Sequence, residues 1–230
     1  MRHKVGLNNN QLKIIAMVSM LIDHIGEALL PDMYILRVIG RLAFPIFAYM
    51  IAEGCAHTRH RGRYLLNIAS LGLACQLVYF FAMGSLYQGI LITFSLSIVA
   101  IFAIDLFTKK KDLCSALVMS AVLLAVIFIS VIAPIIFASQ GFVLDYGALG
   151  VLTPIAVYYL RDKRLKVSAS AVILLLRAIL YGGFRWYALL AVPLLAIYNG
   201  ERGKAKLKYL FYIFYPTHLV VIYLLQLWLT

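Results

Sequence analysis

The strongest constraint on this chain is a repeated pattern. Long apolar runs, each close to bilayer length, alternate with short loops. A membrane-spanning helix needs about 20 mostly apolar residues, fewer where it is tilted or sheltered. The runs lie near residues 11–30, 35–56, 64–83, 90–107, 113–138, 146–160, 167–181, 184–199 and 208–229. The sixth to eighth are short for a full crossing, and Pro134 is placed to kink or break the long fifth run. Of the 230 residues, 64% are hydrophobic and 13% charged. Soluble domains carry about a quarter charged residues, so a soluble fold is excluded. The expected fold class is all-α: a polytopic membrane helical bundle of about nine transmembrane helices. One integral membrane domain is expected over 1–230, with no appended soluble domain and no cleavable signal peptide. The loops are short, so any chemistry must sit among the helices.

The formal net charge is +12, and its location explains most of it. Basic residues fall in alternate loops: Arg2 and Lys4; Arg59, Arg61 and Arg63; Lys109–Lys111; Arg161, Lys163, Arg164 and Lys166; Arg202, Lys204, Lys206 and Lys208. The intervening segments, Pro31–Tyr34, Gly84–Gly89, Ser139–Asp145 and Tyr181–Gly183, hold no Lys or Arg, and Arg185 lies at the lip of one. Cytoplasmic loops of membrane proteins are enriched in Lys and Arg. The alternation therefore predicts a cytoplasmic N-terminus, an extracytoplasmic C-terminus and an odd number of spans. It points to a lipid bilayer rather than nucleic acid as the partner of the charge. The three cysteines, Cys55, Cys75 and Cys114, match neither a disulfide framework nor a zinc pattern, and no metal is expected.

Ionisable residues inside the runs need a partner or a role, because burying an unpaired charge in hydrocarbon is costly. The hairpin Leu12–Gly54 concentrates them: Asp23, His24, Glu27, Arg37, Arg41 and Glu53. Asp105, Arg177 and His218 complete the set. Glu53 and Asp105 lie near cytoplasmic ends, where water, Arg59 or Lys109 can satisfy them. Asp23 and Glu27 are four apart on one helix, and Arg37 and Arg41 are four apart on the next, so each pair shares a face. Asp23–Arg41 and Glu27–Arg37 pairs would meet the burial cost with no catalytic purpose. His24 lies about nine residues before the hairpin turn and Arg41 about eight after it, equal depths of roughly 13 Å at 1.5 Å per residue. A histidine is not needed to neutralise an arginine, and a neutral imidazole is the form a general base requires. Asp23 and His24 diverge by about 100° on a helix, so Asp23 is not placed to orient His24. His218 lies near mid-membrane in the last run, after Pro216, which frees carbonyls near Tyr212. Pro45 does the same after Arg41. Two proline-broken helices beside two histidines predict a polar cavity.

Several blocks carry a family resemblance: Asp23-His24-Ile25-Gly26; Gly40-Arg41-Leu42-Ala43-Phe44-Pro45-Ile46-Phe47; and Lys208-Tyr209-Leu210-Phe211-Tyr212 with Tyr215-Pro216-Thr217-His218-Leu219. Together they resemble the TraX family of bacterial membrane proteins, essentially end to end. The resemblance implies an acetyl-CoA-dependent O- or N-acetyltransferase of the bacterial cytoplasmic (inner) membrane. The family's namesake acetylates the amino terminus of conjugative pilin. The family is also distantly similar to membrane acyltransferases that modify extracytoplasmic sugars. It implies His24 as the key residue, with Asp23, Arg41 and His218 as further catalytic candidates. The implied partners are acetyl-CoA as co-substrate and an extracytoplasmic peptide or glycan acceptor.

On that reading the phosphates of CoA dock on basic loops, with Arg161, Lys163, Arg164, Lys166, Arg59 and Arg63 as candidates, or the 202–208 group. The pantetheine arm then reaches inward to His24. His24 acts as general base or is itself transiently acetylated, and Arg41 or His218 stabilises the oxyanion. Two other readings stand beside this one. A small transporter or flippase would line a path with the same polar pairs, though no internal repeat is visible. A structural assembly subunit would use them as packing glue.

Overall fold

The computed structural model describes residues 5–205 and 207–229, without the side chains of Ala82, Met83, Lys208 and Tyr209. Arg2, Lys4, Lys206 and the Lys208 side chain, counted above among the basic loop residues, lie outside it. The described residues are helical, and their only extended pairings are the isolated bridges Leu7–Tyr198 and Gln88–Leu144. Five helices are long and apolar enough to cross a membrane: Tyr34–His57, Arg61–Phe81, Ile90–Lys110, Leu113–Ile136 and Leu210–Leu229. Gly147–Tyr159 and Gly183–Ala196 are shorter apolar helices. The expected spans at 11–30 and 167–181 form helices with more charge. The first, α1 (Asn9–Ala28), carries Lys13, Asp23 and Glu27. The other, α9 (Lys163–Tyr181), begins Lys163-Arg164-Leu165-Lys166 and includes Arg177, and the short α10 (Ala191–Ala196) follows it.

The chain forms two compact units, Met1–Met50 with Arg161–Thr230, and Ile51–Leu160. In the first, α1 packs against α2 (Tyr34–Gly40). Gly26 and Gly40 permit the close approach: a Cβ on Gly26 would lie 2.7 Å from Leu36 Cβ, and one on Gly40 would collide with Asp23. The expected second span is not one uninterrupted helix. It stops at Gly40, turns through Arg41-Leu42, and restarts as α3 (Ala43–His57). Pro45 supplies the reason, since it has no N–H to return to the carbonyl of Arg41.

The N-terminal segment is tied to the loop after residue 196. Leu7 N–H donates to Ile197 O at 3.0 Å, Asn199 N–H to Leu7 O at 2.8 Å, and Asn9 N–H to Glu201 O at 2.8 Å. Asn8 caps α1 in a reciprocal box with Gln11. Gly203, at φ +83°, lies against Asn8 and Asn10 where a side chain would not fit.

The second unit is built from the rest of α3, then α4 (Arg61–Met83), α5 (Ile90–Lys110), α6 (Leu113–Ile127), the four-residue α7 (Ala133–Ile136) and α8 (Gly147–Tyr159). Pro134 does not break the fifth run. A π-turn over Phe128–Ile132 widens the helix just before it and leads directly into α7. Asp112 caps α6 by accepting from Ser115 N–H at 2.7 Å, and bonding with Ser115 holds its carboxyl below the usual carboxylate range. Small polar residues join α5 to α8: Ser97 Oγ donates to Val151 O at 2.9 Å, and Thr93 Oγ1 to Asp145 O at 2.7 Å. Around them Ala100, Val126, Leu144 and Val151 form an apolar core.

Asp105 pairs with neither Arg59 nor Lys109. It accepts from Arg61 Nη2 at 2.5 Å, Tyr158 Oη at 2.6 Å and Tyr159 Oη at 3.0 Å, so three helices meet on one carboxylate. The Arg61 guanidinium also lies 5.0 Å from the Phe102 ring centre. Glu53 is 9% exposed and 3.9 Å from His57 Nδ1. Asp105→Ala strands the three donors. It should destabilise the protein by about 1–3 kcal/mol, and Asp105→Asn by less, read as the midpoint of thermal unfolding in detergent.

Candidate functional site

The first unit gathers the hairpin's charges onto Asp23. Arg41 Nη2 lies 2.6 Å from Asp23 Oδ1 and 2.5 Å from Oδ2. Arg37 Nη1 bridges Asp23 Oδ1 at 3.2 Å and Glu27 Oε2 at 2.9 Å, and donates to Asp23 O at 3.1 Å. Both pairings expected for the hairpin, Asp23–Arg41 and Glu27–Arg37, are therefore present, joined by a third contact. The side chains of Asp23 and Arg41 are each 14% exposed, whereas Glu27 is 61% exposed, so the chain of charges runs from a sheltered end to an open one. Arg41 is held further by Nε donating to Arg37 O at 3.3 Å. It sits at the break between α2 and α3, where the backbone leaves helical register.

His24 stands outside this network. Its Nδ1 is 2.9 Å from Nε2 of His218, on α11 (Lys208–Leu229). His218 is buried, and His24 half-buried. The Phe214 ring stacks on His218 with centres 4.8 Å apart and planes inclined by 13°, and Tyr215 meets it edge-on at 5.7 Å. The α11 helix continues through Pro216, so here the expected proline break is absent.

Partners fix the protons of the two rings. His218 Nδ1 is 2.8 Å from Phe214 O. A carbonyl only accepts, so Nδ1 of His218 carries hydrogen, and in the neutral ring Nε2 is an acceptor. The hydrogen between the histidines then belongs to His24 Nδ1. His24 Nε2 is left with its lone pair, and it has no hydrogen-bond partner among the described residues. A proton taken up at Nε2 would be stabilised by the hydrogen bond at Nδ1, as in sites where a third group orients a catalytic imidazole. Here a second imidazole ending on a backbone carbonyl fills that place. Asp23 does not orient His24, because its carboxylate is committed to Arg41 and Arg37.

The structure thus brings together Asp23, His24, Arg41 and His218. The candidate phosphate contacts are placed differently. Arg161, Lys163 and Arg164 are exposed. Lys166 is half-buried, with Nζ 5.9 Å from the Tyr49 ring centre. Arg59 and Arg63 are exposed and belong to the second unit. Residues not singled out from the sequence also contribute. The Phe214 carbonyl sets the tautomers, and its signal was the i−4 spacing from His218. Gly26 makes room for Leu36 and Gly40 for Asp23, and they flank the hairpin turn nearly symmetrically. Among the described residues, no group of three or more His, Cys, Asp or Glu could hold a metal ion.

The sequence model of the family described as "TraX protein" matches residues 8–226. The chain belongs to the TraX family. Every residue of the His24–His218 and Asp23–Arg41–Arg37 arrangements lies inside that TraX match. One relative is the "Probable fimbrial assembly protein FimC, serogroup H1" of Dichelobacter nodosus. It is 23% identical over 242 residues, covering 96% of this chain and 97% of that protein. An uncharacterised protein of Rickettsia prowazekii (strain Madrid E) is 50% identical over 38 residues, covering 16% of this chain and 15% of that one. No solved structure matches.

Gly40→Ala tests how the site is held. The added methyl collides with Asp23 and should displace its carboxylate from Arg41, costing about 1–3 kcal/mol of stability. The collision reaches the Asp23 Cβ as well as its carboxylate, so Asp23→Gly in the same chain removes the partner, and the double variant should lose less than the sum of the two single losses, as a double-mutant cycle in thermal unfolding would read.

Proposed function

We propose that the protein is a transmembrane acyltransferase. It moves an acetyl group from cytosolic acetyl-CoA to an amine or hydroxyl of an extracytoplasmic or membrane-embedded acceptor. The observation that carries this reading is the His24–His218 dyad, which leaves one basic nitrogen, His24 Nε2, in a sheltered part of a membrane protein. A packing contact has no need of a defined tautomer; a general base does. The TraX membership supports the reaction class. The name of the Dichelobacter nodosus relative supports a surface-fibre subunit as acceptor, which is the peptide alternative rather than the glycan.

In this mechanism His24 Nε2 removes the proton from the acceptor as its nitrogen or oxygen attacks the thioester carbonyl. The positive charge gained by His24 is shared with His218 through the Nδ1 hydrogen bond. Collapse of the tetrahedral intermediate breaks the carbon–sulfur bond, and the departing CoA thiolate recovers the proton from His24. Arg41 acts on this centre indirectly, because its guanidinium is occupied by Asp23. It positions α1 against α2 and so fixes the level of His24. About nine spans, with the N-terminus in the cytoplasm and the C-terminus outside, fit the alternation of basic loops. In the bacterial inner membrane, that orientation would let CoA arrive from the cytoplasm.

The test is release of CoA thiol by purified protein given acetyl-CoA and a pilin-type amino-terminal peptide. His24→Ala should lose at least about a hundredfold in kcat. His218→Ala should lose less, and His218→Gln should recover part of the loss, because a glutamine oxygen can accept from His24 Nδ1. Full turnover in a folded His24→Ala protein would refute the assignment. Acetyl-CoA consumption with no transfer in the wild type would refute the acceptor class.

A further inference from the structure

We propose that Lys13, Lys166 and Arg202 form a binding site for a phosphate ester at the end of the first unit where the N-terminus of α1 meets the 197–205 loop. For the nature of the ester, the diphosphate of CoA, this proposal rests on the acyltransferase reading. The placement of the three cations does not.

Lys13 lies one turn inside α1. Its Nζ sits 5.3 Å from the centre of the Phe211 ring, and the side chain is half-buried. No acidic side chain pairs with it among the described residues. The nearest charge acting on it is a like one, Arg202. An aromatic face compensates an ammonium only in part, so this cation is short of an anion. Glu201, the acid of the same loop, forms no ion pair among the described residues, and its backbone N–H and C=O are used by Asn199 and Asn9. The first turn of α1 contains no acidic residue.

Lys166 reaches the same end by a different route. Its neighbours Arg161, Lys163 and Arg164 are exposed, as expected of residues that only orient the protein against lipid. Lys166 instead folds over Tyr49, which is 2% exposed. Tyr49 meets the buried Tyr198 edge-on at 5.8 Å. The Leu7–Tyr198 bridge and the Asn9–Glu201 hydrogen bond then bring this loop, and Arg202 with it, to the start of α1. On the α1 side, Asn9 Nδ2 is 3.1 Å from Met50 Sδ, next to Tyr49. Two half-buried ammonium groups thus rest on aromatic rings at this end, Lys166 on Tyr49 beside Tyr198 and Lys13 on Phe211, with the exposed Arg202 guanidinium on the adjoining loop. That combination recognises phosphate oxygens by charge-assisted hydrogen bonds. It assigns the task to Lys13 and Lys166, which are drawn inward, together with Arg202, rather than to the exposed 59–63 and 161–164 groups.

The experiment measures affinity in full-length protein held in nanodiscs of zwitterionic lipid. Coenzyme A is compared with pantetheine, which lacks the phosphates. Lys13→Gln, Lys166→Gln and Arg202→Gln should each weaken CoA by about tenfold relative to pantetheine. Lys110→Gln serves as the exposed control and should change the ratio little. Monodispersity and an unchanged melting midpoint identify the variants that remain folded. If wild type binds CoA and all three variants bind it equally well, the phosphate site is overturned while the acyltransferase reading stands. If wild type binds no CoA, that reading fails, and the site is then judged with phosphatidylglycerol in the same discs by native mass spectrometry. Retention of phosphatidylglycerol that is lost in Lys13→Gln would keep the phosphate site with a lipid as its source. Equal retention, or none, would overturn it.

Discussion

Asp23 is the acceptor on which the first hairpin depends. Two arginines converge on its carboxylate, one from inside α2 and one from the break that follows it. Without that carboxylate, two guanidinium groups would be buried against each other in an environment that screens little charge. Removing one partner of such a cluster costs more than never having built it. The pairing therefore fixes how closely α1 and α2 approach, which is why both faces carry glycine where they meet. It also fixes the rotation of α1 about its axis, and so the direction in which His24 points, about 100° away.

The arrangement separates two duties that often fall on the same residues. Charge compensation is carried by Asp23, Glu27, Arg37 and Arg41. Under the proposed acyltransferase function, proton handling falls to His24 and His218, which are linked to each other and to a backbone carbonyl. A histidine pair needs no buried counter-charge while neutral, so it can lie in apolar surroundings at little electrostatic cost. The aromatic packing of Phe214 and Tyr215 around His218 is consistent with that economy. The second unit follows the same rule on a smaller scale, with Asp105 satisfied by one guanidinium and two phenols.

Much of this was legible in the sequence. Helical class followed from run length and from the scarcity of charge. The arginine–carboxylate pairs followed from four-residue spacing on facing helices. What spacing could not settle was rotation. It placed His24 and His218 at similar depth without saying that their rings would touch. It also could not tell which prolines interrupt a helix. Pro45 coincides with the break at Arg41-Leu42, Pro216 is absorbed within α11, and Pro134 follows a π-turn. The partner of Asp105 was missed because Lys109 lies four residues on along the same helix, and Arg59 and Arg61 share one short basic loop. Only the packing of α4, α5 and α8 distinguishes them.

The two histidines are separated by 194 positions in the chain. Membrane helices enter the bilayer in the order of their synthesis, so every other element of the first hairpin can be in place while His218 is still inside the ribosome. The ion pairs of Asp23 close early, between near neighbours, whereas the dyad closes last, when the final helix docks. A growing chain is thus held in register by charge long before its histidines meet, and a chain truncated before α11 would keep the ion pairs of Asp23 while His24 lacked its ring partner.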